Sequence, residues 1–324
     1  MEQGAYEEAA RLHPKPAAGG YPGLSSDLVW PYIGQVLQES DLHPPATATP
    51  KPRSKPALLL QVLRRDPRQF LERLLNFTEF KAGRFSPRAT RVPVPWEVVI
   101  QQLDQHLGGS LDAFLHEDSL RDIENRVAQR QSQLLRRPVF DTLHNADRAL
   151  ARLCYAICRL RQPEVVLETG VGYGVTTAFL LQALTVNAKG DLWSIDFPPL
   201  GQDADAQTGC LVPAELRARW HLLRGSTRLL LPKLVSQVPA IDVFLHDSLH
   251  TSWNMGREFR TVWPKLTSGG VLISDDVERN RAFEAFVRRP DVGLAVTGDE
   301  EDKPSAFGAA IKTAFHLRPT SSSD

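Results

Sequence analysis

After Pro163 the chain carries short, nearly continuous apolar runs at 165–167, 192–195, 220–223, 241–245 and 270–273, separated by intervals long enough for a helix. Such runs are too short to be helices themselves. They also lack the alternation of a strand with one wet face, so they predict strands covered on both faces of a parallel sheet. The fold class that follows is α/β, Rossmann-like and doubly wound. At the end, apolar stretches at 293–297 and 307–313 flank the acidic segment 298–304, which predicts an antiparallel hairpin with a solvated turn.

The N-terminal half reads differently. Nine of the 24 prolines fall within the first 56 residues, and such a segment buries too little apolar surface to offset its ordering entropy. Residues 1–60 are therefore expected to be a largely disordered tail, with 24–37, containing Trp30, Tyr32, Ile33 and Val36, the part suited to docking. From Asp66 the pattern turns helical: Asp66 is a natural N-cap and Pro67 a first-turn residue ahead of Phe70, Leu71, Leu74 and Phe77. Further helices are predicted at 96–107 and 119–133, giving a helical N-terminal cap over 61–140. Between 143 and 160, Leu150, Leu153, Cys154, Ile157 and Cys158 fall at i, i+3, i+4, i+7 and i+8. That spacing assigns both cysteines to the core rather than to redox or metal chemistry. The main domain is expected over 141–318, with 319–324 a flexible tail.

Composition excludes several classes. Lys plus Arg and Asp plus Glu stand at 38 each, so no global field draws in nucleic acid or an anionic membrane, and neither is an expected partner. Three cysteines are too few for a disulfide framework or thiolate zinc site, which suits a reducing, cytoplasmic setting. The N-terminus has no basic and apolar leader, and no run approaches the roughly 18 apolar residues of a membrane span. A homo-oligomer is compatible with this composition.

The first strand runs into Glu168-Thr169-Gly170-Val171-Gly172-Tyr173-Gly174, ahead of a helix over 176–184. Strand, glycine-rich turn and helix in that order bring backbone N–H groups close to a ligand. A dinucleotide fingerprint would need glycine at 175, where the chain has Val175. The acidic-x-G-x-G-x-G spacing instead resembles motif I of class I S-adenosylmethionine-dependent methyltransferases. The resemblance implies that 168–174, with Thr169 and Tyr173 among its residues, wraps the methionine part of the cofactor and that Glu168 lies near its ammonium. It further implies that Asp196, ending the second strand, accepts bonds from the ribose hydroxyls. Ser226, after the third strand, matches the adenine-side turn, and equally suits an N-cap for the next helix.

The fourth strand leads into His246-Asp247-Ser248-Leu249-His250 and the fifth into Ser274-Asp275-Asp276-Val277. Ligands gather outside the carboxyl ends of an open parallel sheet, so Asp247, Asp275 and Asp276 should converge there and call for a hard cation such as Mg²⁺. These strings resemble the metal-dependent sugar O-methyltransferases of natural-product pathways, over about 145–313. The resemblance implies that Asp247, Asp275 and Asp276 hold the metal, that His250 is the catalytic base, and that the acceptor is a hydroxyl-bearing small molecule such as a sugar. Relatives often carry Tyr after the His; this chain has Trp253 at the third position. Side chains adjacent on an extended strand diverge, so Asp276 can join only if the chain turns, and it could instead cap a helix with Asp275. The loop at 197–213 is long enough to act as a lid, with Asp203 and Asp205 solvated. A metal-independent methyltransferase, an NAD-dependent oxidoreductase and a non-catalytic scaffold are the competing functions.

Overall fold

A computed structural model describes residues 55–134, 147–200, 204–301 and 304–313, all within the compact unit Val36–Asp324. The readings made for the tail before residue 55, for Asp203 and for 319–324 lie outside the described residues. Helices α1 (Lys55–Arg65), α2 (Pro67–Gly83), α3 (Trp96–Leu107), α4 (Leu111–Leu115), α5 (Asp118–Leu134) and α6 (Arg148–Arg161) precede the sheet. Then follow β1 (Val165–Thr169), α7 (Val175–Asn187), β2 (Asp191–Asp196), α8 (Ala204–Gln207), β3 (Trp220–Arg224), α9 (Thr227–Gln237), β4 (Ile241–His246), α10 (Ser252–Val262) and β5 (Leu266–Ser274). Helix α11 (Ala282–Phe286) and strands β6 (Val292–Asp299) and β7 (Ala306–Lys312) complete the chain.

The seven strands lie in the order β3-β2-β1-β4-β5-β7-β6. The pairs β1–β2, β2–β3, β1–β4 and β4–β5 are parallel, whereas β7 runs antiparallel to both β5 and β6. This is the mostly parallel, doubly wound sheet with a terminal hairpin that the apolar runs predict. The order reverses at β1, so the crevice beyond the carboxyl ends of β1 and β4 is the place for a ligand.

Local sequence explains the elements that frame this crevice. Asp147 caps α6 by accepting from Ala149 N at 2.7 Å, and Leu150, Leu153, Cys154, Ile157 and Cys158 are all fully buried. The helix stops where Gln162 takes a left-handed φ of 46° ahead of Pro163. Helix α7 is apolar all round and buried from Thr176 to Leu184, as expected for a helix covered by others. Helices α3 to α5 send Val99, Leu103, Leu111, Leu120, Ile123 and Val127 into the same core as α6, α7 and β1. They therefore share the sheet's core instead of forming a cap with a core of its own. Helix α2 behaves differently: Asp66 caps it at Gln69 N, as predicted, yet its buried residue is Glu72. Among the described residues no helix is long and apolar enough to cross a membrane.

Candidate active site

The turn after β1 is built from three left-handed glycines, Gly170 (φ 85°), Gly172 (φ 53°) and Gly174 (φ 88°). A Cβ on Gly170 would stand 2.0 Å from the carbonyl oxygen of Asp247, so only glycine lets the turn press against the end of β4. The backbone continues this contact, with Asp247 N donating to Thr169 O at 2.7 Å. The loop is braced on its other side by Gly209 N to Gly172 O at 2.9 Å and Leu211 N to Tyr173 O at 3.0 Å. The second half of the 197–213 segment, expected to be a lid, is thus fastened to the glycine turn, and Tyr173 is buried beneath it.

The acids on β1 and β2 occupy distinct settings. Glu168 is buried and accepts from Thr177 Oγ1 at 2.9 Å and Ser194 Oγ at 2.6 Å, with Trp220 Nε1 donating to the same Ser194 at 2.9 Å. Burial pushes its carboxyl up to about 8, against the partial opposition of those hydroxyls. Thr169 turns its hydroxyl to Glu258 at 2.6 Å. Asp196 Oδ2 accepts from Val171 N at 2.7 Å and Gly172 N at 3.0 Å, so the β2 acid holds the glycine turn from below. Burial raises the Asp196 carboxyl while these two N–H groups oppose the rise. Ser226 stands at the N-cap position of α9 without a side-chain cap bond; its hydroxyl goes to Glu72 Oε2 at 2.7 Å.

The ends of β4 and β5 bring the predicted acids together, because His246 and Ser274 are register partners and each is followed by an aspartate. Asp247, His250 and Asp275 each offer a ligand atom within 4.8 Å of the others. Asp276 lies outside that group. It adopts a left-handed φ of 53°, and its carboxylate takes His250 Nδ1 at 2.6 Å, Arg279 Nε at 2.9 Å and the Ser305 hydroxyl. The turn anticipated at Asp276 is present, but it aims the side chain at the far nitrogen of His250. Asp276 stands at the N-cap position of a short 3-10 turn (Val277–Arg279) without capping it.

His250 therefore sits between carboxylates. Nδ1 is fixed by Asp276, and Nε2 is buried without a hydrogen-bond partner, 3.6 Å from Asp247 Oδ1. Burial alone would lower its pKa, but Asp247 and Asp276 outweigh this and raise it to about 10. The same contacts hold Asp276 well below the usual carboxylate range, against its burial. Asp247 and Asp275 converge in one cleft as carboxylate oxygens of the kind a hard divalent cation takes, with His250 beside them.

Two groups of functional interest escape the sequence reading. One is a buried network around Glu258, which accepts from His246 Nδ1 at 2.7 Å, Ser248 Oγ at 3.0 Å and Asn254 Nδ2 at 3.0 Å. Burial would raise Glu258, yet His246 and the neighbouring donors bring it down to about 2. Polar residues at an i, i+4 spacing on the apolar face of α10 were the available signal. The other group is the inner face of α2. Arg73 donates to Pro198 O at 2.9 Å and lies 4.2 Å over the Phe197 ring, while Glu79 binds Arg228 at 2.7 Å and the Thr251 hydroxyl. Its contacts are with residues following β2, β3 and β4.

Residues 167–277 match the family model described as a methyltransferase domain. No curated protein matches the chain. Solved structures similar to it include an O-methyltransferase assigned as putative from Klebsiella pneumoniae, 16% identical with a TM-score of 0.47 over 68% of this chain and 98% of that one. An O-methyltransferase from Bacillus cereus in complex with SAH is 16% identical with a TM-score of 0.47, covering 67% and 97%. The O-methyltransferase TomG from Streptomyces achromogenes, in complex with SAM, is 17% identical with a TM-score of 0.47, covering 68% and 97%. The matched segment contains the glycine turn, Asp196 and the Asp247–His250–Asp275 cluster, so these features lie in the part of the chain that is similar to a methyltransferase domain.

Proposed function

We propose that the protein is an O-methyltransferase that uses a divalent cation, held by Asp247 and Asp275, to methylate a hydroxyl of a small molecule. The observation that carries this reading is the cluster of Asp247, His250 and Asp275 directly beside the glycine turn. The buried His250 Nε2, lacking a hydrogen-bond partner and facing carboxylate, fits a centre completed by a cation and an acceptor. When bound, the cofactor supplies a methyl group on a sulfonium and the ion lowers the pKa of a hydroxyl it contacts while offsetting carboxylate repulsion.

The remaining work falls to the chain. Asp196 and the turn at 170–174 would orient the donor, with the Asp196 carboxylate, held at the turn by Val171 N and Gly172 N, accepting from ribose hydroxyls. Ser226, tied to Glu72, lines the adenine side. Asp276 accepts from His250 Nδ1 and fixes the ring. The carboxylates alone keep His250 protonated, and a cation held by Asp247 and Asp275 would offset them, leaving Nε2 able to receive the proton of the acceptor hydroxyl while Asp276 stabilises the imidazolium formed. Most of the rate gain comes from holding donor methyl and acceptor oxygen in line. A sugar or glycosylated acceptor rests on the likeness of the His-Asp-Ser-Leu-His and Ser-Asp-Asp-Val strings to sugar methyltransferases.

Methyl transfer to a panel of vicinal diols and sugars, with and without chelator, tests the reading. Turnover should disappear on chelation and return with Mg²⁺. Turnover that survives chelation, or an Asp247→Ala variant with normal activity, refutes the metal role. Failure to bind S-adenosylhomocysteine would refute the cofactor assignment separately.

A further inference from the structure

Helix α2 is amphipathic in the reverse sense. Its polar residues Glu72, Arg73 and Glu79 face the domain and are engaged there, and a Cβ on Gly83 would meet Thr251 at 2.9 Å. Its large apolar side chains Leu71, Leu74, Leu75, Phe77 and Phe80 are exposed, and Phe85, just beyond the helix, is 90% exposed. A surface helix packed only on its own domain would orient the other way, and several large apolar side chains exposed on one helix mark an interaction site. Helix α1, packed beside it, adds exposed Leu60 and Leu63.

The charge around this face identifies the partner. Arg64, Arg65, Arg68, Lys81, Arg84 and Arg88 are all exposed, against the single exposed acid Asp66 between 57 and 92. The acids Glu72 and Glu79 are turned inward on Ser226, Arg228 and Thr251. Two of the cations hover over the exposed rings, Lys81 at 5.5 Å from Phe77 and Arg84 at 5.2 Å from Phe80. A symmetric dimer through this face would set cation against cation, because an isologous contact joins identical patches. Leu and Phe side chains interleaved with Lys and Arg are instead the makeup of a helix lying in the headgroup layer of an anionic bilayer. The balanced net charge of the whole chain conceals this local segregation.

We propose that the α1–α2 face is a peripheral membrane-binding surface for anionic lipid, placed on the outer side of the helix whose inner side contacts the cofactor-side residues Phe197 and Ser226. The test is sedimentation of the full chain with phosphatidylcholine vesicles, with and without phosphatidylglycerol. Binding should require phosphatidylglycerol and weaken at high salt. Arg68→Ala with Arg84→Ala should reduce it roughly thirtyfold, and Leu74→Ser with Phe77→Ser should also reduce it at least about tenfold while S-adenosylhomocysteine binding, reporting the fold, stays unchanged. Equal binding to neutral vesicles, no binding to either, or equal affinity for soluble polyglutamate would overturn the proposal. So would a concentration-dependent dimer that Leu74→Ser with Phe77→Ser dissociates, which would assign the face to a second copy.

Discussion

Replacing Glu168 by Gln should stabilise the protein in a strongly pH-dependent way. The Glu168 carboxyl titrates near 8 in the fold, against an ordinary value of 4.5, because burial penalises its charge. A carboxyl raised on folding leaves stability intact below about 4.5 and erodes it as pH climbs towards about 8. At 1.36 kcal/mol per pH unit, the interval of 8 minus 4.5 amounts to about 5 kcal/mol as an upper bound. Water entry on ionisation would reduce this to a few kcal/mol, or roughly 5–10 °C in Tm for a domain of this size. Gln keeps the shape and an oxygen for Thr177 and Ser194 but cannot ionise. Denaturant melts of both proteins at intervals from pH 5 to pH 9 are the assay. The curves should lie close near pH 5, diverge steadily as pH rises and level off above about pH 8, with the variant more stable. Parallel curves across the range would refute the reasoning.

Three further outcomes follow from packing. Gly170→Ala adds a Cβ 2.0 Å from Asp247 O at a φ of 85°, and should cost more than about 3 kcal/mol, seen as lost expression or a collapsed Tm. Cys154 and Cys158 are fully buried and their thiols are pushed far up by desolvation, while Cys210 is pushed up to about 11. A thiol reagent at pH 8 should therefore label none of them rapidly until denaturant is added. Glu79→Ala removes the partner of Arg228 and Thr251; it should cost about 1–3 kcal/mol and speed hydrogen exchange in α2 while leaving β1 and β4 protected.

The sheet was legible because each strand buried on both faces must be apolar throughout, a pattern that solvent-facing strands cannot mimic. The glycine turn was legible because three left-handed positions demand the same residue type. The α2 face was not: the helical spacing of Leu71, Leu74 and Phe77 reports that one side of the helix is apolar without saying which way that side faces. The direction of Asp276 is not legible for a related reason. Spacing shows two adjacent carboxylates, but the left-handed turn that leaves Asp275 with Asp247 and directs Asp276 to His250 Nδ1 accompanies the contacts of Asp276 with Ser305 and Arg279, which are distant in sequence or backbone-dependent. The Glu258 network joins β1, β4 and α10, and no local pattern announces a contact that distant.

The central claim, a cation centre built by Asp247 and Asp275 beside the cofactor loop, is tested most directly by Mn²⁺ binding followed by electron paramagnetic resonance in the presence of S-adenosylhomocysteine. The account predicts one site in the wild type, abolished by Asp247→Ala and by Asp275→Ala, with S-adenosylhomocysteine affinity retained in both variants. Undiminished Mn²⁺ binding in those variants, or no binding in the wild type, would contradict it.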